Sequence, residues 1–66
     1  MKIVINGQQK EIQAATNLKF LIERFCKSPS RIIAELNGAV IKHPQWEGYC
    51  LKEGDVLELV NFVGGG

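Results

Sequence analysis

The groups in this chain that could do chemistry are a carboxylate after three glycines at its end, two cysteines and one histidine. An apolar stretch that starts at Val56 runs directly into Gly64, Gly65 and Gly66. Glycine has no Cβ and loses more chain entropy on ordering than any other residue, so we expect these three to form a flexible tail. The tail is either a frayed end or linker remnant, or an arm that delivers the Gly66 carboxylate as a reactive group.

The cysteines and the histidine do not form a pattern typical of a metal site or a nucleophile. A zinc site needs three or four ligands at suitable spacing, and the chain has one His and no CxxC or HxxxH pair. A nucleophilic thiolate needs a nearby base or cation, which sequence alone does not place beside either cysteine. We therefore expect Cys26 and Cys50 to be small buried hydrophobic residues. His43, directly before Pro44, is expected to be a surface loop residue, with a partner contact or proton donation as the alternative.

The size and charge of the chain argue against a self-contained enzyme and against several partner classes. A chain of 66 residues buries only about 60% of the surface that its unfolded form exposes, which leaves little room for a deep cleft. The net charge of +1 provides no strong field for nucleic acid or a membrane surface. No apolar run approaches the roughly 20 residues that span a bilayer, and two cysteines make no disulfide framework. We expect a cytoplasmic protein that binds neither nucleic acid nor membranes.

Two Asn-Gly pairs predict two β-hairpins. Asn6-Gly7 and Asn37-Gly38 are strong hairpin signals, because both central positions of a type I′ turn need positive φ. The strand at 31–36 is nearly all apolar, as a strand buried on both faces would be. Pro44 ends the second hairpin, and residues 44–51 are expected to form a loop or short helical turn. The predicted strands are 1–6, an edge strand at about 9–14, 31–36, 39–42 and a last strand from 56.

One helix is predicted between the hairpins. Thr16 or Asn17 can cap its first turn, and Ser28-Pro29 ends it because the residue before proline is pushed out of the α region. Phe20 is expected at the edge of the buried face. The apolar residues at i, i+3, i+4 and i+7 that form that face are Leu18, Leu21, Ile22 and Phe25.

This order of elements predicts an α+β fold in which a mixed sheet of four to five strands packs on one main helix. The first and last strands are expected to be parallel neighbours in the centre of the sheet, since they are among the most apolar. The order resembles the β-grasp, or ubiquitin-like, fold. Residues 1–63 would form a single domain, followed by the glycine tail at 64–66.

The last strand is expected to bind a partner. Its outer face has no second helix to cover it, and a contiguous exposed apolar patch usually marks a partner surface. The alternative is that Val60 and Phe62 only wrap the edge of the core, but their position next to the tail favours docking. Leu57, Leu59 and Val63 are expected to face the helix, and Val56, Glu58, Val60 and Phe62 to face outward. The predicted partner-binding residues are Val56, Val60 and Phe62.

The whole chain resembles the ThiS family, the ubiquitin-like sulfur carrier proteins of thiamine biosynthesis. Family members often carry an arginine shortly before the tryptophan, where this chain has Lys42-His43-Pro44. The motifs that carry the resemblance are Ile-Val-Ile-Asn-Gly at 3–7, the helix at 18–25, Glu-Leu-Asn-Gly-Ala-Val-Ile at 35–41, the Trp46 segment, Leu-Lys-Glu-Gly-Asp at 51–55 with its following strand, and Phe-Val-Gly-Gly-Gly at 62–66.

The resemblance implies that the chain is a co-substrate with no permanently bound cofactor. An E1-like adenylyltransferase would use ATP and magnesium to adenylate the Gly66 carboxylate. Sulfur from a cysteine desulfurase relay would displace AMP and leave a thiocarboxylate, and thiazole synthase would take that sulfur into the thiazole ring. Gly64 and Gly65 would thread the enzyme's channel, because three extended residues without side chains reach about 10 Å.

Three alternative functions stay open from the sequence. The chain could be the sulfur carrier subunit of molybdopterin synthase, whose fold and tail are the same but whose members are usually longer. It could be a ubiquitin-like modifier attached to lysines of other proteins. It could also be a non-catalytic β-grasp binding module, which would need no exposed Gly-Gly end.

Overall fold

A computed structural model describes residues 1–61 of the chain, in which five strands form one sheet and one main helix packs against it. A short 3-10 turn, Pro29–Arg31, precedes the third strand. The elements in chain order are β1 (Lys2–Ile5), β2 (Gln8–Glu11), α1 (Leu18–Phe25), β3 (Ile32–Leu36), β4 (Ala39–Ile41), α2 (His43–Trp46) and β5 (Val56–Asn61).

The last strand occupies the centre of the sheet. The strand order is β2-β1-β5-β3-β4, and β5 pairs in parallel with β1 and antiparallel with β3. The parallel pairing of β1 and β5 is possible because the intervening chain crosses over through α1. The predicted α+β class, the mixed sheet and the parallel central pair are confirmed.

Both predicted hairpins form at the Asn-Gly pairs. Asn6 and Gly7 have φ values of 50° and 81°, and Asn37 and Gly38 have φ values of 51° and 89°. Positive φ at both central residues is the requirement of a type I′ turn, whose twist matches that of the flanking strands.

Helix α1 packs a narrow apolar stripe on the sheet. Of the two predicted caps, Asn17 is the one used: its side-chain oxygen accepts hydrogen bonds from the backbone N–H groups of Lys19 (2.9 Å) and Phe20 (3.3 Å). The core between α1, α2 and the sheet consists of Ile3, Ile5, Leu18, Leu21, Ile22, Ile32, Ala34, Leu36, Trp46, Leu51 and Leu57.

The prediction that Phe25 belongs to the buried helix face is wrong, since its side chain is 53% exposed. Phe25 lies in the last turn of α1 and borders a surface groove with Gln8 and Lys10. These two residues pair with Ile5 and Ile3 across β1 and β2 and therefore share the core side of the sheet. The edge strand thus offers polar side chains, and little apolar surface covers the Phe25 ring.

Three predicted strand properties are also corrected. Strand β2 covers 8–11 instead of 9–14, because a turn at Ala14 and Ala15, with φ of 63° at Ala15, stops its extension. Strand β4 ends at Ile41, since Lys42 already caps α2. Strand β3 is buried on one face only, and the outward Ile33 is 43% exposed.

Within residues 1–61, neither helix is long and apolar enough to cross a membrane.

Candidate functional site

The side of the sheet that faces away from α1 carries exposed apolar side chains. We call this surface the open face and define it by six residues of the three strands β3, β4 and β5. On β3 and β5 the members are set by alternation, because every second residue of β3 and of the first part of β5 is buried. On β4, Val40 belongs to the surface because it is the cross-strand partner of Glu35. The six residues are Ile33, Glu35, Val40, Val56, Glu58 and Val60.

The structure places two of the three predicted partner-binding residues on the open face. Val56 and Val60 are 43% and 55% exposed, whereas Leu57 between them is fully buried and Leu59 is half-buried toward the core. The predicted alternation of β5 is therefore confirmed for residues 56–60. The binding role of Val56 and Val60 stays a prediction. The third residue, Phe62, lies outside the described residues, as does Val63.

Two apolar residues of the open face were missed by sequence reasoning. Ile33 stands directly opposite Val60 in the β3–β5 pair, and Val40 extends the surface onto β4 with 59% of its side chain exposed. The alternation of buried Ile32, Ala34 and Leu36 was the available signal for an outward Ile33. A nearly all-apolar strand instead suggested burial on both faces.

Two glutamates stand side by side within this apolar surface. Glu35 of β3 is the cross-strand partner of Glu58 on β5, so both side chains leave the sheet on the same face. Like charges directly opposite each other destabilise a sheet. Within residues 1–61 the N-terminal ammonium forms an ion pair with Glu11 at 3.3 Å, and neither Glu35 nor Glu58 forms an ion pair with another described residue.

The hairpin asparagines fix the position of β5. The side-chain oxygen of Asn37 accepts a hydrogen bond from the Val56 N–H at 2.8 Å, and that of Asn6 accepts one from the Leu59 N–H at 2.7 Å. The Asn6 amide nitrogen also donates to the Leu59 carbonyl oxygen at 3.3 Å. Both turns therefore hold the strand that carries most of the open face.

A buried carboxylate shapes the turn that leads into β5. Asp55 is 6% exposed and accepts hydrogen bonds from the Lys52 N–H at 2.8 Å and from the Asn37 side-chain amide at 3.0 Å. Gly54 in the same turn has a φ of 84°. The carboxylate thus links the turn to the second hairpin and sets where β5 begins.

His43 has a structural contact that the sequence did not predict. It is exposed, as expected, but it begins α2 and does not lie in a loop. Its ring nitrogen Nε2 lies 2.9 Å from the Ile32 carbonyl oxygen, to which it donates in the tautomer protonated there. Its ring meets that of Trp46 edge to face, with centroids 4.2 Å apart. Trp46 donates from Nε1 to the Ile41 carbonyl oxygen at 2.8 Å, so α2 is fastened to the ends of β3 and β4.

Comparison with known proteins decides the family. The model of the ThiS family matches residues 3–66. The chain belongs to the ThiS family. This membership agrees with the resemblance that the sequence motifs indicated.

Solved structures of ThiS agree with this fold. The crystal structure of the thiamine biosynthesis protein ThiS from Geobacter metallireducens superimposes with a TM-score of 0.85 at 26% identity and covers all of both chains. A solution structure of a thiamine biosynthesis protein from the same organism gives a TM-score of 0.78 at 28% identity, over all of this chain and 88% of the other. The β-grasp fold of this ThiS family member is therefore established.

Sequence relatives include much longer proteins. Thiazole synthases of Magnetococcus marinus and Paramagnetospirillum magneticum are 35% and 29% identical to this chain over its full length. The chain spans only 20% of the length of each of them. An uncharacterised protein of Trieres chinensis, ycf40, is 32% identical over 94% of this chain and 85% of its own length.

The cysteines of this ThiS family member differ from the prediction in part. Cys26 is half-buried, but Cys50 is exposed, because Tyr49 and Leu51 on either side of it turn inward. Burial raises the pKa of the Cys26 thiol above its ordinary value, which is opposite to what a nucleophilic thiolate needs. Among residues 1–61, no group of three or more His, Cys, Asp or Glu side chains is placed to hold a metal ion.

The predicted reactive residue lies outside the described part of the chain. Gly66, Gly64 and Gly65 belong to the residues beyond 61, so the role assigned to each of them stays a prediction. The described end of β5 is Asn61, which pairs with Ile32 of β3. The open face therefore extends along β5 to within one residue of the segment that contains the tail.

Proposed function

We propose that this chain carries sulfur as a thiocarboxylate on Gly66 and delivers it to thiazole synthase for formation of the thiazole ring of thiamine. The proposal rests on membership in the ThiS family and on one structural observation. That observation is strand β5, which carries Val56 and Val60 on an exposed surface and ends at Asn61, three residues before Gly64 in the sequence. A partner that binds this surface has the tail within reach.

Activation of Gly66 requires a separate enzyme, because a carboxylate is a poor electrophile. On an E1-like adenylyltransferase, a carboxylate oxygen of Gly66 attacks the α-phosphorus of ATP, and pyrophosphate leaves with magnesium. The terminal sulfur of a persulfide, supplied by a cysteine desulfurase relay, then displaces AMP from the acyl carbon. A thiol reduces the resulting acyl disulfide to the thiocarboxylate. ATP and magnesium belong to the adenylating enzyme, and the chain itself keeps no cofactor.

The proposed roles of Gly64 and Gly65 follow from the reactivity of the adenylate. The enzyme must exclude water, since an acyl-adenylate hydrolyses readily. A backbone without side chains fits a narrow channel that a larger residue would block. The globular domain stays outside and binds through the open face. Its strand β5 is held in place by the hydrogen bonds that the Val56 and Leu59 N–H groups donate to the side chains of Asn37 and Asn6.

Thiazole synthase is the proposed acceptor of the sulfur. Two relatives that carry this name contain a segment similar to the whole of this chain within a polypeptide five times as long. A carrier segment joined to its acceptor has a high effective concentration at the acceptor site. We place the chain and its partner enzymes in the cytoplasm, where ATP and the sulfur relay would be available.

Reconstitution with purified components tests this function. The chain, without any residue added after Gly66, is incubated with the adenylating enzyme, ATP, magnesium and a persulfide donor, and is then weighed by mass spectrometry. We expect a species heavier by the difference between sulfur and oxygen, and its loss when thiazole synthase and its substrates are added. Gly65→Ala is the matched variant, expected to fold normally and to be adenylated poorly.

The same assay separates the alternatives. Transfer of the sulfur to a molybdopterin precursor but not to thiazole would assign the chain to molybdopterin synthase. Conjugates between Gly66 and lysines of other proteins would make it a modifier. Normal adenylation of Gly65→Ala would contradict the role proposed for the tail glycines.

A further inference from the structure

Apolar residues of the open face flank the two glutamates, Glu35 and Glu58, along β3 and β5 and on β4. Along β5, Val56 and Val60 lie two residues before and after Glu58. On β3, Ile33 lies two residues before Glu35. Val40 of β4 is the cross-strand partner of Glu35. A partner that covers the four apolar side chains therefore also covers both carboxylates.

We propose that the open face binds a basic side chain of the adenylating enzyme, an arginine by preference, which inserts between Glu35 and Glu58 while apolar groups cover the surrounding residues. The inference rests on the proposed function, because it names the chemistry of the surface that binds this carrier. It adds a specific charge requirement to a contact that would otherwise be only apolar.

Burial of the carboxylates makes the cation necessary. Moving an ionised carboxylate out of water without a partner is strongly unfavourable, and two adjacent carboxylates also repel each other. Side chains directly opposite on an antiparallel pair have Cβ atoms about 5 Å apart. One planar guanidinium group can donate to two carboxylates at such a spacing, and the low dielectric of a covered interface strengthens the attraction.

The same pair of charges disfavours other occupants of the open face. A second copy of this chain, placed face to face, would bring four carboxylates together inside an apolar contact. Nucleic acid would be repelled by the two negative charges. A purely apolar protein surface would leave the glutamates buried without partners. Glu35 and Glu58 therefore select a basic partner and also keep the exposed valines from associating with one another.

The experiment compares two variants of equal net charge in binding to the adenylating enzyme. Glu35→Gln/Glu58→Gln keeps the shape of the open face and removes its charge. Glu23→Gln/Glu47→Gln removes the same charge from exposed residues of the helical side, one on α1 and one directly after α2. Dissociation constants are measured by calorimetry at several salt concentrations, with circular dichroism to verify folding.

We expect Glu35→Gln/Glu58→Gln to bind at least about tenfold more weakly than the wild type, with a shallower dependence of affinity on salt. The control variant should bind within about twofold of the wild type. Equal affinity of the wild type and Glu35→Gln/Glu58→Gln, with adenylation of both, would overturn the inference and leave the proposed function intact. A wild-type chain that is not adenylated would contradict the proposed function itself. Formation of a wild-type dimer through the open face would also overturn the inference.

Discussion

The side-chain amide of Asn6 pairs with both backbone groups of Leu59, accepting from the N–H at 2.7 Å and donating to the carbonyl oxygen at 3.3 Å. Strand β1 ends at Ile5, where the chain turns away into the first hairpin. The Asn6 amide therefore continues the β1–β5 ladder beyond the end of β1. One residue thus serves the turn through its positive φ and the central strand through its side chain.

Asn6→Gly separates these two roles. Glycine adopts the same positive φ without strain but lacks the amide. Loss of both hydrogen bonds to Leu59 should lower the free energy of unfolding by about 1–2 kcal/mol, measured by urea denaturation. Asn6→Asp, which keeps the acceptor and loses the donor, should be intermediate. A glycine variant as stable as the wild type would show that the amide contributes nothing to holding β5.

Removal of one charge from the Glu35–Glu58 pair should stabilise the chain. The two carboxylates stand directly opposite each other, and relief of like-charge repulsion contributes about 0.2–1 kcal/mol in sheets. We expect Glu35→Gln to raise the midpoint of thermal unfolding at low salt, and the gain to shrink as salt is added. Glu23→Gln, on the exposed surface of α1, is the control and should show little change. An unchanged or lowered midpoint for Glu35→Gln would mean that the carboxylates do not repel each other appreciably.

Substitutions at two residues of β5 should distinguish a side chain needed for binding from one needed for folding. Val60 is largely exposed and Leu57 is fully buried. Val60→Thr keeps the branched shape and should change the free energy of unfolding by less than about 0.5 kcal/mol, while it weakens binding to the adenylating enzyme. Leu57→Ala should cost about 2–5 kcal/mol because it leaves a cavity in the core. Full binding by Val60→Thr would argue against the open face as the docking surface.

How much of this fold the sequence predicted depends on how far apart in the chain the interacting residues are. The hairpin turns depend on adjacent residues, so Asn6-Gly7 and Asn37-Gly38 were sufficient to place them. The inward position of Leu57 follows from the period of a strand. The contact between Asn6 and Leu59 joins residues far apart in the chain, and no local pattern indicates it.

The wrong predictions concern burial that depends on what covers a residue. Phe25 has the correct helical spacing, but the edge strand beneath it presents Gln8 and Lys10. Ile33 is as apolar as its buried neighbours, yet it lies on the opposite face of the sheet and is 43% exposed. Composition cannot distinguish an apolar residue that a second layer covers from one that stays exposed. The sequence therefore predicted only part of the open face, namely Val56 and Val60.

The Cys26 thiol should titrate at higher pH in the folded chain than in the unfolded chain, because burial raises its pKa. Its contribution to stability is full below the unfolded pKa and is lost as pH rises through the folded pKa. Alkylation rates of Cys26 in a Cys50→Ser background, measured against pH with and without urea, should show the later midpoint for the folded chain. A folded midpoint at or below the unfolded one would contradict the assignment and reopen a nucleophilic role.

The central claim is that Gly66 carries the sulfur, and the intact mass of the chain isolated from its own cells tests it most directly. In cells grown without thiamine, part of the protein should be heavier by the difference between a sulfur and an oxygen atom. Fragmentation should place that difference on Gly66, and it should disappear in cells without the adenylating enzyme. An unmodified mass under these conditions, or a sulfur on Cys26 or Cys50 in place of Gly66, would contradict the account.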